Sequence, residues 1–465
     1  MNVLLLGIAL YILLQFAIGL LVSHRSSNEK DYLLAGRSLG PLLGTFTVFA
    51  TWYGAESVIG AAGLIYSDGF SGATGDPFGY AFCLIFLGLV FAIPLWRRQY
   101  TTFGDFFRER YSSGVEKLFV LLVIPSSIFW AAAQVRAFGH IISVVSDVDV
   151  ELAIMGAALL ITVYTVVGGM RATAVTDLIQ GIALIIGLLV LFFAVVNVHG
   201  LLPLIESVPA ERMQFFSTAG MGFWEIVEQW ALPICGATLA AEVISRILAT
   251  RSAQTARNAS IMGGLLYLVF GFIPVFLGLV GPGLISGLED PEQIIPALAG
   301  QYLTTFMYIL FAGALVSAIL STVDSALLAA ASLLSHNIIV PLKQGKSEQQ
   351  KVRIARLSVV ALGILAWYLA VNAGGVYELI KTAVAFGTAG VFVVGSIGLF
   401  SRFGDQYSAY AALVAGSLIW FVGEYYTGFT TPYLLALAGA ALAYVLVAMI
   451  QTFAGRSRVT ETGQG

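Results

Sequence analysis

Ser317-Ala-Ile-Leu-Ser-Thr-Val-Asp-Ser325 lies within a long apolar run that covers residues 301–340. An apolar run of this length is typical of a helix that crosses a lipid bilayer. Ser321 and Ser325 are four residues apart and share a helix face, and Asp324 lies beside them. A carboxylate at membrane depth costs at least about 2.5–3.5 kcal/mol on insertion scales, so it usually faces a cavity, a partner or an ion. Together these oxygens suit a small hard cation.

A structural role for the same side chains is the alternative. Ser and Thr hydroxyls in helices often hydrogen-bond to carbonyls of their own helix, and Asp324 could pair with a basic neighbour. The hydroxyls alone fit both interpretations. The carboxylate among them favours the ion site.

The composition places this stretch in a polytopic membrane protein. The chain has 465 residues, of which 58% are hydrophobic and 11% are charged, and its mean hydropathy is +0.90. Soluble domains carry roughly 25% charged residues. The net charge of −3 and the lack of a basic arm give no sign of nucleic-acid binding. Cys83 and Cys235 lie in apolar runs and are interpreted as packing thiols, and the four His residues have no metal-ligand spacing.

The hydropathy pattern predicts an all-α fold with about thirteen membrane spans. The first apolar run lacks the basic n-region and the cleavage site of a signal peptide, so we expect it to be retained. No stretch is left over for a water-soluble domain. The predicted spans cover about residues 2–23, 40–66, 77–97, 116–145, 150–168, 173–198, 223–249, 258–282, 300–339, 354–373, 377–400, 407–425 and 432–452.

The distribution of Lys and Arg predicts the orientation. With the N-terminus outside, all of the 23 Lys and Arg residues except Arg136, Arg212 and Lys381 fall in cytoplasmic segments or at the helix ends that flank them. The outer loops are acidic instead, as at Asp147 and Asp149. The positive-inside rule therefore predicts an odd number of spans, with the N-terminus outside and the C-terminus inside.

Span 2 contains the first sign of a binding site. It reads Gly44-Thr-Phe-Thr-Val-Phe-Ala-Thr-Trp-Tyr-Gly-Ala-Glu-Ser57. Gly54 and several hydroxyls interrupt the apolar pattern in mid-membrane, where Glu56 also lies. In transporters, such interruptions mark discontinuous helices whose freed carbonyls coordinate ions.

Span 7 is interrupted in a similar way. It reads Trp230-Ala-Leu-Pro-Ile-Cys-Gly-Ala-Thr-Leu-Ala-Ala-Glu242, in which Pro233, Gly236 and Glu242 break the apolar pattern. The two interrupted spans lie five spans apart, which predicts two five-helix repeats of inverted topology with a binding site at the midplane. Because Gly and Pro are common in membrane helices, interruptions without a function are the alternative.

Three motifs resemble those of the sodium:solute symporters, a family that includes carriers of proline, glucose, sialic acid and choline. They occur in the family's order and cover nearly the whole chain. Ala50-Thr-Trp-Tyr-Gly54 and the Ser-x-x-Asp-Ser ending of the third motif are most similar to the high-affinity choline transporters. The three motifs are Tyr32-Leu-Leu-Ala-Gly-Arg-Ser-Leu-Gly40, Gly168-Gly-Met-Arg-Ala-Thr-Ala-Val-Thr-Asp-Leu-Ile-Gln180 and Ala318-Ile-Leu-Ser-Thr-Val-Asp-Ser325.

The resemblance implies a LeuT-type fold, in which further helices flank the two five-helix repeats. It divides a single transmembrane domain into a first helix with a cytoplasmic loop, the two repeats, and two C-terminal helices with a tail. These parts cover residues 1–39, 40–198, 223–400 and 401–465.

The resemblance also implies a sodium site between the break in span 2 and span 9. The ligands in this chain are the carbonyls of Ala50, Tyr53 and Ala318 and the hydroxyls of Ser321 and Thr322. An unwound turn frees carbonyls, and Na⁺ suits a set of about five hard oxygens of this kind.

Family members with a second sodium hold it with the acid of span 6 and further hydroxyls of span 9. The matching residues here are Asp177, Ser321, Asp324 and Ser325. Family members often have Ser in place of Asp324, and the extra charge either strengthens the second sodium site or accepts a proton. A structural ion pair between Asp177 and Arg171 is the alternative.

The resemblance places the substrate beside the two helix breaks, facing spans 4 and 11. The candidate residues carry rings, amides or charges, with one small residue among them. They are Trp52, Tyr53, Glu56, Trp130, Gln134, Arg136, Ala240 and Glu242.

Several of these side chains bear on the kind of substrate. Choline carriers cage the quaternary ammonium with tryptophans because ring faces attract cations. Trp52 and Trp130 match two cage positions, but the third is Ala240 here, and packing in the bundle core is the alternative role of the rings. Glu56 replaces a small residue and is a candidate counter-charge for an amine. Arg136 either clamps a substrate carboxylate or neutralises a nearby acid.

We therefore predict a sodium-coupled symporter that imports a small polar solute, either an amine-containing cation or a zwitterion. Proton coupling, and uptake of an organic acid held by Arg136, are the alternatives. No nucleophile–base pair, phosphate loop or metal motif indicates an enzyme. The expected partners are sodium, the substrate and the lipid bilayer, without an organic cofactor or nucleic acid. We expect a multi-pass protein of the cell membrane, which is the inner membrane in a bacterium.

Overall fold

A computed structural model describes residues 28–146, 148–216, 222–342 and 345–462, together with residues 6, 7, 10, 13, 14, 17, 18 and 21. Within these ranges the chain forms helices and no β-strand, and one isolated parallel bridge joins Leu39 and Thr250. The prediction of an all-α protein is confirmed. The first predicted span, residues 2–23, falls mostly outside the described residues.

We number the α-helices in chain order. They are α1 Glu29–Leu34, α2 Pro41–Trp52, α3 Ala61–Asp68, α4 Tyr80–Phe86, α5 Ala92–Arg97, α6 Phe103–Arg110, α7 Ser113–Ser146, α8 Val150–His199, α9 Leu201–Ser207, α10 Phe223–Thr238, α11 Ala241–Leu248, α12 Ala253–Leu284, α13 Ile294–Tyr302, α14 Thr305–Ser332, α15 Glu348–Asn372, α16 Val376–Ala385, α17 Thr388–Phe400, α18 Gln406–Val422 and α19 Pro432–Thr462. Short 3₁₀ turns cover Ala35–Arg37, Gly69–Ala73, Ala210–Met213 and Pro291–Gln293, and wider π turns cover Glu56–Gly60, Thr74–Gly79, Leu87–Phe91, Leu333–Ile339 and Gly423–Thr427.

The helices include many that can cross a membrane. Eight of those described are long and apolar enough to do so, or up to nine if α10 and α11, which meet at 46°, form one span. The count is lower than thirteen partly because α2 and α18 have 12 and 17 residues, and because α8 joins two predicted spans. The polytopic membrane class is confirmed, while the number of spans and the orientation stay predictions.

The turn between predicted spans 5 and 6 is tighter than expected. Instead of a loop over residues 169–172, the chain turns within α8 at Gly169, whose φ of 61° and ψ of −179° are not helical. A Cβ atom there would lie 2.7 Å from the ring of Tyr32. Glycine is therefore required both by the backbone conformation and by the close contact with α1.

The two interrupted spans are broken helices. In span 2, α2 ends at Trp52 and the helix resumes only at Glu56. In span 7 the break lies at residues 239 and 240, between Gly236 and Glu242, which the sequence analysis named together with Pro233. Pro233 stays within α10, which neighbouring helices in a membrane bundle allow.

The buried centre of the bundle is α14. All of its residues from Phe311 to Ser332 are buried, and it packs mainly against α7 and α8. The quoted stretch Ser317–Ser325 lies in the middle of this segment. Its hydroxyls and carboxylate therefore face other helices rather than lipid, as expected for polar groups in a membrane protein.

Candidate functional site

The break in span 2 redirects one carbonyl toward α14. In a continuous helix the amide of Gly54 would donate to the carbonyl of Ala50, but here it donates to Trp52 at 2.8 Å. The Ala50 oxygen instead accepts hydrogen bonds from Ser321 Oγ at 3.1 Å and from Thr322 Oγ1 at 3.4 Å. The unwound turn and the hydroxyl stripe of α14 thus lie in direct contact.

Two neighbours hold this contact in place. Thr322 Oγ1 also donates to the carbonyl of Ala318 at 3.0 Å, and Gln134 accepts from the amide of Ala55 at 3.3 Å. A Cβ atom on Gly54 would lie 2.6 Å from Thr322 Oγ1. Glycine at this position lets the broken turn approach the Thr322 side chain of α14 this closely. The arrangement offers several uncharged oxygens within a small volume, which is a donor set that hard cations prefer.

A second group of oxygens lies next to the first. Asp177 accepts hydrogen bonds from Ser321 at 2.5 Å and from Thr47 through its other oxygen. Asp324 is fully buried, and although Thr173 and Ser325 are nearby, neither of its oxygens has a hydrogen bond of normal geometry within the described residues. A buried carboxylate in this situation is an open ligand for a cation.

Sequence reasoning missed the cation that already lies in this group. Arg246 was counted among basic residues at a cytoplasmic helix end, but it is fully buried and donates to Ser325 Oγ and to Met170 Sδ, the latter at 2.8 Å. Arg171, the alternative partner proposed for Asp177, is exposed, and among the described residues no hydrogen bond or ion pair joins the two. The positive-inside count cannot distinguish a buried Arg from one at the membrane surface.

A cavity opens beside the two helix breaks. Trp52 and Trp130 line it. Tyr80, which sequence reasoning missed, lies between them, with its ring centre 5.7 Å from that of Trp52 and 6.2 Å from that of Trp130. The rest of the lining comes mainly from α7, α10, α11, α16 and α17. It includes Ser126, Ala240, Glu242 and Thr388.

The predicted charged residues have different positions relative to this cavity. Glu242 lines it and accepts a hydrogen bond from Ser127. Glu56 lies behind Tyr80, whose hydroxyl donates to it at 3.4 Å. Arg136 does not line the cavity, because its guanidinium donates to the carbonyl of Ala370 at 2.7 Å. In the part of the chain that the structure describes, the lining contains no Lys or Arg.

Comparison with known proteins places this chain in a class of membrane transporters. The model of the Sodium:solute symporter family matches residues 32–418. This match covers most of the chain, and the protein belongs to that family. It is therefore a transporter rather than an enzyme, and the resemblance seen in the three motifs is confirmed.

Individual relatives include choline and proline transporters. The chain is 28% identical over 461 residues to the high affinity choline transporter 1 of Homo sapiens, covering 90% of this chain and 76% of that protein. It is 28% identical to the high-affinity choline transporter 1 of Drosophila melanogaster, over 80% of this chain and 63% of that protein. The osmoregulated proline transporter OpuE of Bacillus subtilis is 24% identical, covering 89% of this chain and 88% of its own.

Solved structures show the same fold. A Na⁺-coupled sialic acid symporter in a substrate-bound outward-open state superposes with a TM-score of 0.85 at 17% identity, covering 96% of each chain. A nucleobase-cation-symport-1 family transporter in a closed conformation gives 0.63 at 17% identity, covering 92% of this chain and 95% of that one. At these identities the comparison carries the fold and not the substrate.

Proposed function

We propose that this protein uses the sodium gradient to import a small organic solute that carries an amine, either a cation or a zwitterion. Family membership supports sodium-coupled symport of a small solute in general. The site geometry supports the finer statement. The main supporting observation is that the Ala50 carbonyl has no hydrogen bond from Gly54 within its own helix and instead accepts hydrogen bonds from two hydroxyls of α14.

The proposed sodium ligands are the carbonyls of Ala50, Tyr53 and Ala318 and the hydroxyls of Ser321 and Thr322. These ligands come from two elements that are far apart in sequence, the broken span 2 and α14. An ion bound between them therefore joins the two elements. Sodium binding from outside would in this way stabilise one state of the bundle and order the adjoining cavity. Each Na⁺ that enters with the membrane potential contributes about 2.3 kcal/mol per 100 mV.

A second sodium is proposed at Asp177, Asp324 and Ser325, next to Ser321. The oxygens of Asp324 have no hydrogen bond of normal geometry within the described residues, which supports this site, because a fully buried carboxylate is costly unless a cation or a proton neutralises it. Arg246 supplies one positive charge against the two carboxylates, so one monovalent cation is sufficient to balance the group.

The cavity favours a positively charged substrate group. Its rings belong to Trp52, Tyr80 and Trp130, and its acid is Glu242. A cation over an aromatic face gains about 0.5–2 kcal/mol, depending on how far it is desolvated. Uptake of an organic acid held by Arg136 gains no support from the structure, because that guanidinium is turned toward Ala370.

Thermal stability in detergent tests the sodium site without a known substrate. A ligand that binds the folded state raises its stability by RT ln(1 + [L]/Kd). Na⁺ should raise the melting temperature of the wild type at constant ionic strength, with K⁺ as the replacement ion. The double change Ser321→Ala and Thr322→Ala should abolish most of this response.

The matched control is Ser332→Ala, which removes a buried hydroxyl from the same helix. The Ser332 hydroxyl donates to the Leu328 carbonyl of its own helix at 2.6 Å, and among the described residues it forms no hydrogen bond with a proposed ligand. Its Na⁺ response should match the wild type. Equal responses of all three proteins, or a wild type that ignores Na⁺, would contradict the assignment.

The substrate is then sought with the same assay. Amines, quaternary ammonium compounds, amino acids and organic acids are added singly, each with and without Na⁺. The proposal requires that stabilising compounds carry a positive charge and that sodium increases their effect, because two coupled sites raise each other's affinity reciprocally. Stabilisation by carboxylic acids alone would favour the Arg136 alternative.

A further inference from the structure

A buried acid outside the predicted site lies against the broken span. Asp76 belongs to the π turn Thr74–Gly79 that precedes α4, and only 7% of its surface is exposed. Its Oδ2 atom lies 2.7 Å from Ser57 Oγ and 2.8 Å from Tyr267 OH, both at hydrogen-bond distance. Ser57 Oγ and Tyr267 OH are themselves 2.5 Å apart. The three residues therefore connect the broken span, the start of α4 and the middle of α12.

Asp76 Oδ2, Ser57 Oγ and Tyr267 OH form a triangle of oxygens, and the number of protons that this triangle needs indicates whether Asp76 is protonated. Three oxygens at mutual hydrogen-bond distance need a proton on each of three edges. The hydroxyls of Ser57 and Tyr267 supply two. The carbonyl of Trp52, 3.3 Å from Ser57 Oγ, is a further acceptor that competes for them. A third proton is required, and the carboxyl group of Asp76 is the one member that can carry it.

A metal ion does not fit between the same three oxygens. Ligands that sit at about 2.4 Å from an ion, as oxygens do around Ca²⁺, are separated from one another by about 3.4 Å in an octahedral arrangement. The observed separations of 2.5, 2.7 and 2.8 Å are much shorter. They are the separations of oxygens that share protons.

The surroundings of Asp76 provide no counter-charge. From the broken span, Glu56 and the hydroxyl of Tyr53 face this region, and from α4 and α12 the nearest titratable groups are Tyr80 and Tyr267. Across the described ranges, no Lys, Arg or His forms a hydrogen bond or ion pair with Asp76 or Glu56. A buried charge without a partner is far more costly than a neutral hydroxyl or carboxyl group.

Two further groups beside the triangle lack partners. Asp76 Oδ1 and the hydroxyl of Tyr53 are both buried and have no hydrogen bond to any described residue. Tyr53 is fully buried, and its ring lies 4.9 Å from that of Tyr267. An ionised Asp76 would leave an open anionic oxygen in this closed aromatic environment, whereas a neutral carboxyl group leaves only a carbonyl-type acceptor.

We propose that Asp76 is a proton-binding site of this transporter and that it holds its proton in the conformation described. Loss of the Asp76 proton removes one of the three shared hydrogens. The oxygens of Ser57 and Tyr267 are then in contact without a hydrogen between them. Ser57 and α12 then separate, and the turn that presents Ala50 to α14 changes with them. The bound proton follows from the triangle alone, whereas its effect on sodium rests on the proposed function.

Infrared spectroscopy of the reconstituted protein tests the bound proton directly. The carbonyl stretch of a neutral carboxyl group is distinct from the bands of a carboxylate. At about pH 6, where an exposed carboxyl group is ionised, the wild type should show such a band, and Asp76→Asn should lose one component of it. The matched control Asp68→Asn, an exposed acid near the same turn, should leave the band unchanged.

A second variant, Tyr267→Phe, tests the same proposal if Asp76→Asn fails to fold. Tyr267→Phe removes one donor to Asp76 but keeps the acid, so the band component should shift in frequency rather than disappear. A neutral-carboxyl band that neither Asp76→Asn nor Tyr267→Phe alters would overturn the proposal.

The effect on sodium is measured separately. Asn donates a hydrogen as a protonated Asp does, so Asp76→Asn imitates the protonated site at every pH. At about pH 6 its Na⁺ affinity should equal that of the wild type, and at about pH 9 it should be about fivefold higher or more, the lower end of usual coupling between sites. An affinity ratio that is the same at both pH values would overturn the coupling, and a wild type without any Na⁺ response would contradict the proposed function while leaving the infrared result valid.

Discussion

Gly54→Ala is a sharp test of the proposed sodium site, because the substitution acts on one ligand and leaves the helices intact. A Cβ atom at Gly54 would lie 2.6 Å from Thr322 Oγ1 and 3.2 Å from Gln134 Oε1. Gly54 is not among the glycines with positive φ, so alanine fits the backbone. The Thr322 hydroxyl can rotate away, but it then loses the Ala50 carbonyl and the position at which it would contact sodium.

The expected magnitude is the loss of one ligand. A hydrogen bond to a charged group contributes about 1.5–3 kcal/mol, and we take this range for one hydroxyl on Na⁺. Since 1.4 kcal/mol corresponds to a factor of ten in affinity, the Na⁺ concentration for half-maximal stabilisation should rise about 10- to 150-fold. The melting temperature without Na⁺ should change much less, because only the end of a side chain has to move.

The assay is a Na⁺ titration of the melting temperature with K⁺ replacing Na⁺. Wild-type protein at 100 times its Kd should gain about 2.7 kcal/mol, which a melting curve resolves easily. Gly60→Ala is the control, because the nearest atom to its Cβ is Glu56 Cγ at 3.9 Å. If Gly54→Ala and Gly60→Ala gave the same titration, Thr322 would not be a ligand and the reasoning would be wrong.

Three further predictions concern other parts of the molecule. Trp130→Phe should weaken binding of a cationic ligand by about 0.5–2 kcal/mol, and it should leave the Na⁺ titration unchanged, as ligand and Na⁺ thermal shifts on the same sample would show. Arg246→Leu should destabilise the protein by about 3–5 kcal/mol, because it leaves two buried carboxylates without their cation; an unchanged denaturation midpoint would argue that those carboxylates are already protonated. Burial alone would raise the pKa of Asp105, but hydrogen bonds from His336 and from the Thr102 amide hold it below its ordinary value, so the ionised form stabilises the fold at neutral pH and this contribution is lost as the pH falls through that lowered pKa. Asp105→Asn should therefore melt at a lower temperature at neutral pH, and the difference should shrink as the pH is taken below about 4; a pH-independent difference would mean that Asp105 acts only through its shape.

The break in span 2 was largely predictable because it leaves a local signal. Gly54 and several hydroxyls interrupt an apolar run, and the structure breaks the helix there. The break in span 7 was harder to place. Pro233 stays helical, and its ring packs closely on Gly79, where a Cβ atom would lie 2.4 Å from Pro233 Cγ. Such a contact joins residues far apart in sequence and has no local signature.

Arg246 and Asp76 were missed for a related reason. Each lies at the edge of an apolar run, where charged residues usually face water or lipid head groups. Arg246 is buried because α11 is only half a span and its end does not reach the surface of the bundle. Asp76 is buried because its π turn packs between the broken span and α12. How deeply a residue is buried depends on where neighbouring helices begin, break and end. A hydropathy pattern does not contain this information.

The net charge of the buried groups indicates how many cations the proposed sites would bind. Ala50, Ala318 and Thr322 offer uncharged oxygens, so an ion among them brings one positive charge that protein dipoles and the neighbouring Asp177 must stabilise. Asp177 and Asp324 offer two negative charges, and Arg246 returns one positive charge. With both carboxylates ionised, one Na⁺ makes that group neutral and a divalent ion would leave an excess positive charge in a low-dielectric interior, where such an excess is costly. We therefore expect the guanidinium to give the proposed second site a preference for a single monovalent cation, through charge balance rather than through the size of the site.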